Sequence, residues 1–165
     1  MLRGFRKRRP RAVETLILER DLPAPPGPVF AAFTTAEALM CWMQPFETEV
    51  VAVQIDFETG NWFKIELAGR HGRWTIAGKY LEVEAPRRLR FSWTSPVTFD
   101  RPSIVTLTLV GLGADASQTR LELVHERLPG ALVAERHETM WAELLGRLAD
   151  YLAEAGVATR SSAPD

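Results

Sequence analysis

Residues 131–152 read ALVAERHETMWAELLGRLADYL. Leu132, Val133, Met140, Trp141, Leu144, Leu145, Leu148, Tyr151 and Leu152 recur at steps of three, four and seven, which is the stripe of an amphipathic α-helix. Glu135, Arg136, Glu138, Glu143, Arg147 and Asp150 take the other face. Pro129-Gly130 precedes the segment and Gly156 follows it, so both ends are punctuated. A helix of about six turns with so wide an apolar face needs a broad surface to lie on.

The upstream chain supplies that surface as strands. Residues 14–22 place Leu16, Leu18, Arg20 and Leu22 on one face. A proline-rich stretch, residues 23–28, leads into two short helices at about 28–33 and 35–43. Thr34 with Glu37 reads as a capping box for the second. Residues 47–58 alternate with Val51, Val53, Ile55 and Phe57 on one face, and residues 62–67 follow after a turn. Gly69-Arg70-His71-Gly72 is a hairpin turn. Residues 73–84 form a long strand with a bulge or bend expected at Gly78. Residues 88–95 align Leu89, Phe91 and Trp93; residues 104–110 align Val105, Leu107 and Leu109; residues 118–127 align Leu121, Leu123 and His125. Short turns between successive strands predict an antiparallel meander with one wet face. The expected class is α+β in the order β-α-α-β6-α, a curved antiparallel sheet gripping a long C-terminal helix.

At 165 residues the chain fits one domain, and its composition is that of a globular protein. No apolar run approaches a membrane span and no secretory signal is evident. With Cys41 the lone cysteine, no internal disulfide forms, and a cytoplasmic location is expected. Six of the twenty basic residues fall in residues 1–11, which leaves fourteen against twenty-one acids beyond them. We read residues 1–13 as a disordered basic tail, 14–155 as the domain and 156–165 as a flexible tail. The basic run lacks the repeated aromatic interleaving that suits base stacking, so a nucleic-acid partner is not expected, nor a membrane.

Several stretches resemble a known family. Glu19-Arg20-Asp21-Leu22-Pro23-Ala24-Pro25 and Val29-Phe30-Ala31-Ala32-Phe33-Thr34 open the match, and Leu39, Trp42 and Pro45 fit the end of its second helix. Gly78-Lys79-Tyr80-Leu81-Glu82-Val83, Pro86-Arg87-Arg88-Leu89 and Phe91-Ser92-Trp93 are the most telling. Residues 119–125 and the set Trp141, Leu145 and Leu148 complete it. Their order is similar to the START-like, or SRPBCC, helix-grip (Bet v-like) fold, and in particular to its AHSA branch, named for the activator of heat-shock-protein ATPase. Where that family often has Gly-Gly, Gly60-Asn61 stands here. Asn tolerates positive φ, so the turn is expected to survive.

The resemblance implies a deep cavity between helix and sheet, closed by the two short helices, in a superfamily that binds lipids, sterols, polyketides and plant hormones. A small hydrophobic ligand is the leading expectation. Its walls would be Leu89, Phe91, Trp93, Val105, Leu107, Leu123, Met140, Trp141, Leu144 and Leu148, with His125 and Tyr80 as polar contacts. Two alternatives stay open: a cyclase or hydrolase with His125 as acid or base, and a chaperone cofactor or homodimer partner acting through its exterior.

Other candidates have plainer readings. His71 and His137 are expected in solvent, far from each other and from His125, so no metal site is assigned. Asp56 and Glu58 alternate with Ile55 and Phe57, which suits a solvated face better than paired acid–base carboxylates. Cys41 has no basic neighbour and reads as packing. Trp62 and Trp74 are placed on the outer face if the bulge near Gly78 sets the strand phase that way. Ser103 and Ser117 have no matching His and Asp in the sequence pattern, and no Gly-rich phosphate loop is present, so neither catalytic residues nor a cofactor are assigned.

Overall fold

A computed structural model describes residues 12–162. Seven strands form one antiparallel sheet: β1 (Val13–Leu22), β2 (Glu49–Asp56), β3 (Trp62–Gly69), β4 (Gly72–Glu84), β5 (Arg88–Trp93), β6 (Ser103–Leu112) and β7 (Gln118–Pro129). They lie in the order β1-β7-β6-β5-β4-β3-β2. Two short helices, α1 (Pro26–Thr34) and α2 (Ala36–Trp42), follow β1, and a long helix, α3 (Ala131–Ser161), ends the chain. The expected α+β helix-grip order is the observed one. Among the described residues no helix is long and apolar enough to cross a membrane. The basic run, residues 1–11, lies outside the described residues.

The meander forms because each strand carries its apolar residues on one phase. Leu89, Phe91 and Trp93 of β5 stand opposite Leu107, Val105 and Ser103 of β6, and Leu107 and Leu109 stand opposite Leu123 and Leu121 of β7. All these side chains are buried. α3 buries Val133, His137, Met140, Trp141, Leu144, Leu145, Leu148 and Leu152.

Gly78 sits where two backbones nearly touch. A Cβ there would lie 1.8 Å from the Ser92 carbonyl oxygen and 2.7 Å from the Phe63 ring, so only glycine fits. The register shift of β4 falls just beyond, between Tyr80 and Glu82. The Gly60-Asn61 turn survives with Asn61 in the left-handed region at φ 49.

Four local expectations need correction. A bulge between Val50 and Ala52 shifts the phase of β2, so Val50 faces the core and Val51 is exposed. Trp74 stands opposite buried Leu67, which turns it to the inner face, half-buried. The capping box at Thr34 does not form. The hydroxyls of Thr34 and Thr35 donate instead to the carbonyls of Phe30 and Ala31, closing α1 rather than starting α2. Finally, α3 does not stop at Gly156 but continues to Ser161, so residues 156–161 are helix rather than tail. Gly156 has helical backbone here, and a glycine costs only about 1 kcal/mol inside a helix.

Candidate functional site

Two places on the inner face of the sheet carry chemistry, and α3 contributes to both. The first is buried. Val105 and His125 are direct partners across β6 and β7, so Ser103, two residues along β6, is the diagonal neighbour of His125 on the same face. Ser103 Oγ lies 2.7 Å from His125 Nε2 and donates to the Trp93 carbonyl at 2.9 Å. From above, the Trp141 indole N–H donates to His125 Nδ1 at 3.1 Å. An indole nitrogen can only donate, so Nδ1 must accept and the ring proton sits on Nε2. Proton donation therefore runs one way, from Trp141 to His125, from His125 to Ser103, and from Ser103 to the Trp93 carbonyl.

That direction decides the chemistry. A serine nucleophile needs a bare imidazole nitrogen facing its hydroxyl. Here the facing nitrogen carries the proton, and Ser103 and His125 are both wholly buried. The pair is arranged as a satisfied structural network, not as nucleophile and base.

His137 completes the cluster, contrary to the expectation of a solvated residue. It is buried, one turn from Val133 and one from Trp141, on the stripe of α3. Its Nδ1 donates to the Val133 carbonyl at 2.8 Å. Its ring meets that of His125 at 5.0 Å, edge to face, so two of the three histidines do converge. His137 Nε2 and Trp93 Nε1 are buried without a hydrogen-bond partner in the protein. Burial holds the basicity of His125 well below its ordinary value, and the neighbouring His137 lowers it further. His137 is lowered mainly by burial and also by Arg136, against the opposing pull of the Val133 carbonyl.

The space between sheet and helices is almost filled. What remains is about 10 Å³, bounded by Phe33, Leu39 and Met43 from the short helices and by Phe63, Ile65, Tyr80, Phe91 and Trp93 from the sheet. That is roughly one water. Of the expected wall residues, Tyr80, Phe91 and Trp93 border it. Leu89, Val105, Leu107, Leu123, His125, Met140, Trp141, Leu144 and Leu148 are buried and border neither this space nor the cleft described below. Tyr80 donates its hydroxyl to the Phe33 carbonyl at 3.1 Å, which ties β4 to α1, and burial pushes its phenol above the usual range.

The second place is open. A cleft of about 830 Å³ lies at the N-terminal end of α3. Its walls are Phe46, Glu47 and Thr48 after α2, residues 69–74 of the β3–β4 hairpin, Pro96 and Val97 after β5, and Leu132, Glu135, Arg136 and Thr139 of α3. Phe46 and Glu47 both hold left-handed backbone, at φ 51 and 53, so the loop turns sharply after Pro45. Gly69 lets the hairpin close on that loop, since a Cβ there would meet the Thr48 methyl at 3.1 Å. Leu132, expected in the buried stripe, instead points into the opening and is 71 % exposed. His71 is exposed at the hairpin tip and lines the same opening.

The remaining candidates have structural roles. Asp56 accepts the backbone N–H groups of Glu58 and Thr59 and the Thr59 hydroxyl, so it builds the β2–β3 turn. Those bonds, led by the hydroxyl, hold its carboxyl below the usual range. Cys41 is exposed rather than packed, and its thiol points back to the Glu37 carbonyl.

Comparison with known proteins agrees with this architecture. Residues 23–153 match the family model described as activator of Hsp90 ATPase homolog 1-like protein. A protein from Chromobacterium violaceum shares 27 % identity, with 84 % of this chain and 96 % of that one covered at a TM-score of 0.71. The AHSA1 protein from Silicibacter pomeroyi also shares 27 %, with 86 % and 99 % covered at 0.72. CalU16 from Micromonospora echinospora, at 23 % identity with 88 % and 80 % covered and a TM-score of 0.62, shares the fold. Among curated proteins none matches.

Proposed function

Because this chain belongs to the activator of Hsp90 ATPase homolog 1-like family, we propose that it binds a small, largely apolar organic molecule at the open end of its helix grip. One observation carries the reading. The space between α3 and the sheet has been filled by side chains, while the cleft at its mouth has a volume of about 830 Å³ and presents Phe46, Trp74, Val97 and Leu132. Ligand sites run from about 300 to 1,000 Å³ and combine apolar walls with a few polar groups. The expected site thereby moves from the His125 region to the mouth, with the buried walls as its support.

The test is uptake of phenylnaphthylamine, a neutral aromatic probe whose fluorescence rises in apolar surroundings. One molecule should bind per chain. Val97→Trp, which adds bulk to the cleft, should abolish the signal, whereas Leu148→Met, in the buried core, should leave it. Uptake that survives Val97→Trp places the ligand elsewhere. No uptake at all removes the proposal.

A further inference from the structure

The cleft carries more charge than an apolar ligand needs. Arg70 and Arg73 line it from the β3–β4 hairpin and Arg136 from α3. Among the described residues none of these guanidiniums makes a side-chain hydrogen bond or an ion pair within 4.0 Å; Arg73 exerts only a longer-range attraction on Glu66, whose close partner is Lys64. Two carboxylates, Glu47 and Glu135, line the same opening without engaging them. The chain does pair arginines where it places a carboxylate for them, as Arg120 with Asp21 at 2.8 Å and Arg88 with Glu82 at 2.9 Å. A cationic opening is also against the general trend, since residues 12–165 carry fourteen basic and twenty-one acidic residues.

We propose, resting on the reading of the cleft as a ligand site, that its ligand is an amphipathic anion. A flat apolar body lies against Trp74 and Phe46, and a carboxylate, sulfonate or phosphate head is held by Arg70, Arg73 and Arg136. The planar guanidinium fork suits such heads because it gives two parallel hydrogen bonds. The apolar walls beside it, Trp74, Val97 and Leu132, thin the water around the pair and strengthen the attraction. The opening is concave and sized for one molecule, which favours a free ligand over a bilayer surface.

Two probes with the same rings separate head from body: anilinonaphthalene sulfonate and the neutral phenylnaphthylamine. The sulfonate should bind at least about tenfold more tightly, as one charge-assisted contact implies. Arg73→Gln with Arg136→Gln should erase that difference and leave the neutral probe's affinity unchanged, and added salt should weaken only the sulfonate. Arg147→Gln, whose partner Glu143 lies outside the cleft, should leave both affinities as they are. Equal affinities for the two probes overturn the inference but keep the apolar cleft. Loss of sulfonate binding in Arg147→Gln as large as in the cleft variants also overturns it, because the effect is then the field of the whole chain. Binding to phosphatidylglycerol vesicles without uptake of either soluble probe overturns both readings.

Discussion

α3 presents two sides that differ in every physical respect, although they are drawn from the same turns. His137 and Trp141 look inward, and every contact they make is with the chain itself. Arg136 and Thr139, their neighbours in sequence, look into the cleft. On the inner side polar groups are few, buried and mostly satisfied, and the rings pack at centroid distances of 5.0 to 6.3 Å. On the outer side the polar groups are more numerous, and Arg136, which faces the cleft, makes no ion pair, whereas Arg147 further along pairs with Glu143. A histidine held by an indole on one side and by a serine on the other, with the serine in turn donating to a carbonyl, makes a firm seat for a helix but leaves nothing for a visitor. Three arginines that make no close ion pair, beside a half-buried tryptophan, do the reverse. The difference teaches that a polar group in an apolar wall is not by itself a site; what counts is whether its hydrogen-bonding capacity is already used.

The largest expected effect contrasts the two tryptophans of this region. Trp141→Ala removes a fully buried ring and the donor to His125 Nδ1. It should lower unfolding free energy by about 3–5 kcal/mol, the usual cost of a large core truncation. Trp74→Ala removes a half-buried ring and should cost about 1–2 kcal/mol, yet it should take probe uptake with it. Urea denaturation and probe titration on both variants check the contrast. Equal stability losses, or probe uptake lost in Trp141→Ala alone, would break it.

The next effect is the response to acid. His125 and His137 have folded-state basicities below their ordinary 6.5. The unfolded chain therefore binds the extra protons first. The stability these groups contribute is complete above about pH 6.5 and declines as pH falls below it toward the folded values. His125, whose basicity is lowered further, should carry the larger share of that loss. His137→Phe should make the decline shallower without abolishing it. The groups around the pair are few: Trp141, Trp93 and Ser103 are neutral, and among the described residues Arg136 is the charge that acts on His137. Asp21, Asp56, Glu66 and Asp115 are held below the usual carboxylate range, so their contribution is present above that range and fades only at lower pH. Urea midpoints between about pH 8 and pH 5 separate the windows. A level stability across pH 6.5 to 5.5 would show that the buried ring accepts a proton without penalty.

How much of this was legible in the sequence differs between the two sides. The inner side was largely readable, because strand and helix periods report burial directly. Leu89, Phe91, Trp93, Leu121, Leu123 and His125 face the helix as their phases require. His137 was also readable. The steps 133, 137 and 141 put it on the stripe, and only its polarity suggested solvent. The Ser103–His125 contact needed the pairing register of β6 and β7, which no local pattern contains. Val51 was misplaced because the bulge falls on it, so that Val50 rather than Val51 shares the inner face with Val53 and Ile55, and Trp74 because the phase of β4 is fixed only by its pairing with β3. The cleft was hidden for a different reason. Its walls come from four separate segments, around 46–48, 69–74, 96–97 and 132–139, and each alone reads as an ordinary turn or helix start. That α1 and α2 close the grip followed from the family resemblance. That side chains fill the grip depends on packing, which a sequence pattern does not report.

The smallest effect concerns the loop that shapes the cleft. Glu47 sits at φ 53 beside Phe46 at φ 51, and an L-residue with a side chain pays about 1–2 kcal/mol for the left-handed region. Glycine pays nothing there but loses more freedom on folding, by about 0.5–1 kcal/mol. Glu47→Gly should therefore raise stability slightly, by about 0.5 kcal/mol. It also removes one of the two carboxylates that share the opening with Arg70, Arg73 and Arg136. If the outer side of α3 is held ready for an anion, the sulfonate probe should bind more tightly in this variant while the neutral probe barely changes. A gain in stability with both probes weakened would mean that the left-handed turn forms the ligand wall through the Glu47 side chain itself. The contrast between a filled inner face and a receptive outer one would then rest on shape rather than on charge.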